Sequence, residues 1–186
     1  ETFKLSIDEV KNLYKTNVSP AQVKLLSSFS FGKDLSDTSE GCYIFTKNGK
    51  KILDFTGGFG VLNHGHNNQR IIDARINFQK KKKVEVHKNY LCPYLAALSH
   101  NIASILPGDL NVSYLPNSGA EANEGAIKLA YKFHEGKRKY ILHSNISFHG
   151  KLLGTGSISA SPEVKFNFPG LSNTDTFNWN NIESVK

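Results

Sequence analysis

The stretch Leu115-Pro116-Asn117-Ser118-Gly119-Ala120-Glu121-Ala122-Asn123-Glu124 decides how the chain reads. It joins a short β-forming segment to a run of helix formers. At such a junction the first N–H groups of the helix have no intrahelical partner. The helix dipole adds partial positive charge at the same end. Together they suit a phosphate dianion. Gly119 lets a ligand approach the backbone closely, and Ser118 offers a hydroxyl. A plainer role is open too: Asn117 or Ser118 caps the helix, as such residues commonly do. The stretch has neither the Gly-x-x-x-x-Gly-Lys of triphosphate loops nor the Gly-x-Gly-x-x-Gly of dinucleotide folds.

Outward from it, the pattern is strand, helix, strand. Val112-Ser113-Tyr114-Leu115 reads as a short strand, Ser118 to His134 as a helix, and Lys139 to His143 as the next strand. Such a unit is normally parallel and right-handed. Glu124, Lys128 and Lys132 form a charged stripe at spacings of four, acid first. Ala122, Ala126, Ala130 and Phe133 form the side expected to lie on the sheet. The tail from Ser157 is polar, with Pro162, Pro169 and many Asn, and reads as a long excursion.

Upstream, Ser6 to Tyr14 predicts a short helix capped by Ser6. Residues 26 to 40, rich in Ser, Gly and Asp, read as extended loop. Tyr43 to Thr46 and Lys51 to Phe55 flank Asn48-Gly49, a pair that tolerates positive φ and signals a hairpin. A Gly-rich loop follows at Thr56-Gly57-Gly58-Phe59-Gly60, then Asn63-His64-Gly65-His66. His64 and His66 read as turn or capping histidines rather than metal ligands. Residues 67 to 82 and Pro93 to Leu106 repeat apolar side chains at helical spacing, the second with Leu95, Leu98, Ile102 and Ile105 expected to face inward.

The chain has 186 residues, 39% hydrophobic, the makeup of an ordinary globular protein. No apolar run approaches the ~20 residues that span a bilayer. Glu1-Thr2-Phe3-Lys4 has no signal-peptide pattern and no initiator Met, which suggests a processed, tagged or excised piece. Cys42 and Cys92 lack metal spacing and read as reduced thiols of a cytosolic protein. The formal charge is +7, with one run at Lys80-Lys81-Lys82-Lys83. Without interleaved aromatics or a second basic cluster, it reads as a solvated helix end rather than a nucleic-acid or membrane contact.

Three segments, in order, resemble class III aminotransferases. Asn117-Ser118-Gly119-Ala120-Glu121-Ala122-Asn123-Glu124 with Ala126-Ile127-Lys128-Leu129-Ala130 resembles that family's cofactor-phosphate segment. Ser147-Phe148-His149-Gly150-Lys151 with Leu153-Gly154 is similar to its aromatic-His-Gly-Arg segment. Leu53-Asp54-Phe55-Thr56-Gly57-Gly58 with Gly60-Val61 and Gly65-His66-Asn67 is similar to its active-site loop.

The resemblance implies an α/β, fold-type I enzyme of the ornithine, acetylornithine and 4-aminobutyrate aminotransferase kind. It uses pyridoxal 5'-phosphate and is normally a homodimer. Residues 1–88 would be a small amino-terminal segment with the hairpin. Residues 89–186 would begin the large parallel-sheet, cofactor-binding domain. Ser118, Gly119 and Ala120 would hold the cofactor phosphate, and Phe148 would stack on the pyridine ring, with His149 beside it. Lys151 stands where many members have an Arg that grips a substrate carboxylate. A lysine is a single point charge and cannot form that planar fork. A substrate contact and a plain surface lysine both stay open for it.

The family's Schiff-base lysine and the acid that pairs with the pyridine nitrogen belong to its carboxy-terminal half. The expectation is therefore that residues 1–186 hold neither and are not a competent transaminase alone. A mutase, racemase or decarboxylase of the same fold, and a non-catalytic phosphate-binding module, are the rival readings.

Overall fold

The computed structural model describes residues 4–87, 89–160 and 169–185. Two compact units divide the chain, Glu1–His87 and Lys88–Lys186.

In the first unit, α1 (Ile7–Asn17) begins at Ser6. The Ser6 hydroxyl accepts from the Glu9 N–H, and the Glu9 carboxylate accepts from the Ser6 N–H at 2.7 Å. Two otherwise orphaned donors are thereby satisfied. The Ser6 backbone bond, with the Ser6 hydroxyl next, holds the Glu9 carboxyl below its ordinary pKa. Residues 26–40 are not the extended loop that their composition suggests. α2 (Pro20–Ser28) starts with a proline behind the Ser19 cap, and a 3-10 turn spans Ser30–Lys33. β1 (Ser36–Glu40) then pairs antiparallel with β2 (Tyr43–Thr46). Ser-Asp-Thr-Ser-Glu carries no apolar alternation, so β1 owes its strand character to its neighbour rather than to its own residues.

β2 pairs antiparallel with β3 (Lys51–Leu53), Tyr43 opposite Leu53, in the sheet order β1-β2-β3. The hairpin turns with Gly49 at φ 78°. Next comes α3 (Gly57–Gly60), one turn in which every residue has positive φ, Phe59 included at 61°. An L-residue with a side chain pays about 1–2 kcal/mol for that conformation. α4 (Gln69–Lys80) starts at Asn68, whose side chain accepts from the Arg70 N–H, and runs out in the exposed Lys81 to Lys83.

In the second unit, α5 (Pro93–Ile105) is capped by the Cys92 sulfur. α6 (Gly119–Phe133) is capped by Ser118. β4 (Ile141–Ser144) lies parallel to β5 (Thr174–Phe177), with the short α7 (Leu153–Ser157) between them in sequence. The expected strand 112–115 forms no ladder, and β4 finds its partner downstream. A strand is defined by its hydrogen-bonded neighbour, and β propensity does not substitute for one. The part of the predicted excursion at 161–168 lies outside the described residues.

Little apolar surface is buried. A folded domain of this mass exposes about 8,900 Å², and two separate domains of half the mass about 11,000 Å². This chain exposes 15666 Å². The α5 stripe expected to face inward is largely open, with Leu95 and Leu98 half exposed and Ile105 at 81%, and only Ile102 partly buried. The periodicity is present, but the described residues bring no element to cover it. The same holds for α6: Ala122, Ala126, Ala130 and Phe133 are exposed, while Ile127 on another face is buried.

Candidate functional site

The first turn of α6 is built as a capped N-terminus. The Ser118 hydroxyl accepts from the Glu121 N–H at 3.2 Å, and the Glu121 carboxylate accepts from the Asn117 N–H at 2.7 Å. The N–H groups of Gly119 and Ala120 find no partner among the described residues. A β-carbon placed on Gly119 would meet nothing within 4 Å, so the side-chain direction at Gly119 is open. Ser118 caps the helix and remains exposed, so the capping and anion-binding roles are compatible.

The segment after β4 lies against this turn. A β-carbon on Gly150 would fall 2.5 Å from the Ala120 β-carbon, and Gly150 has φ 125°. Asn123 donates its side-chain amide to the His149 carbonyl at 3.0 Å. The Glu124 carboxylate accepts from the Thr155 N–H at 2.8 Å, and a β-carbon on Gly154 would meet it at 2.6 Å. Ala120, Asn123, Glu124 and Ile127 recur at helical spacing, and this is the packed face of α6. Glu124 therefore meets the loop backbone instead of completing a surface pair with Lys128.

Beneath that contact the loop is held by its own hydroxyls. Ser159, fully buried, accepts from the His149 N–H at 2.9 Å and shares its one O–H between the carbonyls of Thr155, 2.9 Å away, and Gly150, 3.1 Å away. Thr155, also fully buried, accepts from the Leu152 N–H. His149 Nδ1 lies 2.9 Å from the Ile158 carbonyl. A carbonyl only accepts, so Nδ1 carries a proton. Phe148 is 65% exposed, and Lys151 is exposed one residue beyond Gly150.

Ser118, Gly119 and Ala120 thus share a local neighbourhood with the His149–Gly150 backbone. Sequence reasoning missed Asn123, Glu124, Thr155 and Ser159. The available signal was the i, i+3, i+4 spacing from Ala120, which competes with the equally regular Glu124–Lys128–Lys132 pattern.

The first unit holds a separate polar cluster. Asp54 Oδ2 lies 2.7 Å from His66 Nε2, with the two side chains 6% and 18% exposed. Its other oxygen accepts from the Thr56 hydroxyl, the Thr56 N–H and the Gly57 N–H. The Thr56 hydroxyl, then His66, hold the Asp54 carboxyl well below the usual carboxylate range. The His66 backbone exchanges two hydrogen bonds with Gly41. His66 closes the loop at both side chain and backbone, and His64 turns its ring to the Gly65 carbonyl. Among the described residues no cluster of His, Cys, Asp and Glu suits a metal ion.

Residues 34–183 match the family model described as aminotransferase class-III. The chain is 32% identical over 173 residues to the acetylornithine aminotransferase of Prochlorococcus marinus subsp. pastoris, covering 90% of this chain and 41% of that protein. It is 30% identical over 162 residues to the putrescine aminotransferase of Pectobacterium atrosepticum, covering 84% and 34%. Among solved structures, the ornithine aminotransferase of Toxoplasma gondii ME49 superposes with a TM-score of 0.78 at 18% identity, over 99% of this chain and 43% of that one. A thermostable (S)-enantioselective omega-transaminase from Thermomicrobium roseum gives 0.71 at 21% identity, over 86% and 40%. These likenesses carry the fold, that of the fold-type I transaminases. The chain spans about two fifths of the first curated relative's length. With a family match across most of its residues, and with the α6 junction and the 148–154 segment packed together inside that match, this chain belongs to the class III aminotransferases.

Proposed function

We propose that this chain supplies the cofactor-phosphate cradle and ring platform of a pyridoxal-phosphate-dependent transaminase. The reaction moves an amino group between an amine or amino acid and a keto acid. The observation that carries the reading is the pair of unpartnered N–H groups at Gly119 and Ala120, at an exposed Gly119 and flanked by the segment bearing Phe148.

The residues fit a phosphate monoester. Two backbone donors and the Ser118 hydroxyl converge at the positive end of a 15-residue helix. The nearest carboxylate, Glu121, is turned back onto the Asn117 N–H. Phe148 offers an exposed aromatic face for a flat heterocycle, and a stacked ring excludes water from it. His149, the next residue, is held by its Nδ1 proton on the Ile158 carbonyl. Lys151 is the candidate point charge for a substrate carboxylate, with a role as plain surface lysine as its alternative. When bound, the cofactor supplies the electron sink, while the protein supplies position and electrostatics.

In this reading residues 1–88 belong to the small amino-terminal part and 89–186 open the cofactor-binding domain. The full enzyme works as a homodimer in a reducing, cytoplasmic setting, which suits the two free cysteines. No described helix is long and apolar enough to cross a membrane. Acetylornithine and putrescine, named in the relatives, are the donors to try first.

The test is differential. Pyridoxal 5'-phosphate should raise the melting temperature of the chain, and pyridoxal without the phosphate should not. Equal shifts with both, or none with either, would remove the phosphate cradle from consideration.

A further inference from the structure

We propose that Asn123 and Glu124 are positioning residues, which hold the Phe148-bearing loop in register with the anion-binding turn of α6. The inference rests on the cofactor reading above and assigns that site its internal alignment.

Two parts of the site must be aligned, and they come from different segments. The amide donors belong to the first turn of α6. Phe148 belongs to the loop that follows β4, and its ring is largely exposed, so little packing of its own fixes it. What ties one segment to the other is a short column on α6. Ala120 sits in contact with Gly150, Asn123 binds the His149 carbonyl, and Glu124 binds the Thr155 N–H. All three are contacts to loop backbone, so they set the path of the loop whatever its side chains do. Glu124 makes the strongest of them, because an ionised acceptor roughly doubles a hydrogen bond.

The contacts also constrain the loop from both ends. The His149 carbonyl lies just after Phe148, and Thr155 lies seven residues on. Between them the buried Ser159 hydroxyl gathers His149, Gly150 and Thr155 to one point. Without Glu124, the Thr155 N–H loses its acceptor and Gly154 its neighbour, and the loop is released at its far end. The Ser118 cap, which fixes the first turn carrying the Gly119 and Ala120 amides through the Glu121 N–H, is untouched by that loss.

That asymmetry gives the test, done on the full chain with inorganic phosphate and pyridoxal 5'-phosphate as probes. Glu124→Ala should weaken pyridoxal 5'-phosphate about tenfold, the size of one charge-assisted bond. Its affinity for inorganic phosphate should change less than about twofold on the same scale. Glu124→Gln keeps an acceptor oxygen without the charge and should recover about half of the lost binding free energy, roughly threefold in affinity. The double variant Glu124→Ala with Phe148→Ala should bind no more weakly than Phe148→Ala alone, because the two act through one ring. Equal losses for both probes, or additive losses in the double variant, would overturn the proposal. Hydrogen exchange separates this failure from failure of the cofactor reading. If the unmodified chain binds neither probe, the cofactor reading falls. Faster exchange of the Thr155 amide in Glu124→Ala, with Ile127 unchanged, would still support loop positioning, and unchanged Thr155 exchange would overturn it.

Discussion

Gly150 lies so close to Ala120 that a β-carbon on it would stand 2.5 Å from the Ala120 β-carbon and 2.9 Å from its α-carbon. The two residues belong to different segments, and their contact closes the site. Gly150 also has φ 125°, a conformation that side chains rarely adopt. Strain and overlap act together, so Gly150→Ala should destabilise the second unit by about 2–4 kcal/mol. Urea unfolding followed by Trp179 fluorescence measures this, and an unchanged midpoint would contradict the contact.

Gly119 should respond in the opposite way. It stands at the first position of α6, with open space where a β-carbon would go and no positive φ. Gly119→Ala should leave stability unchanged or raise it by about 0.5–1 kcal/mol. The same methyl stands on the residue that carries one of the free amides, where it should crowd a bound phosphate. Affinity for pyridoxal 5'-phosphate should then fall about tenfold, or ~1.4 kcal/mol. Calorimetric titration and thermal unfolding of one variant test both halves.

Ser159 is fully buried and accepts from the His149 N–H. In Ser159→Ala that N–H is stranded without water, a loss of about 1–3 kcal/mol. Exchange of the His149 amide should accelerate by the matching factor. If it does not, the hydroxyl is not what holds the loop.

Asp54 predicts a pH dependence in the first unit. Its carboxyl is depressed by the Thr56 hydroxyl, by His66 and by the Thr56 and Gly57 N–H groups. A depressed acid stabilises the fold above its unfolded pKa of about 3.9 and loses that contribution as pH falls through the folded value. Protection of the 54–66 loop should therefore decline below about pH 4. In Asp54→Asn the loop should be weaker at neutral pH and flatter with pH. Amide exchange measured between acid and neutral pH checks the sign.

Much of the local structure was legible in the residues themselves. Ser6, Ser118 and the Pro93 start announced their helices, because a cap is satisfied within four residues of itself. Asn48-Gly49 announced the hairpin for the same reason. Where sequence reasoning failed, the cause was non-local. β1 is a strand because β2 lies beside it, and 112–115 is not one because no described strand does. The apolar stripe of α5 is real in sequence and open in space, since periodicity names a face without naming its cover.

By itself, then, the sequence determined the class III membership, the capped junction at Ser118 and the segment that carries Phe148, since each is written in contiguous residues. The tertiary structure alone decided which face of α6 packs, why Glu124 meets Thr155 rather than Lys128, and that Asp54 reaches His66. Those outcomes depend on which distant group, backbone or side chain, arrives within 3 Å, and a one-dimensional pattern does not encode that distance.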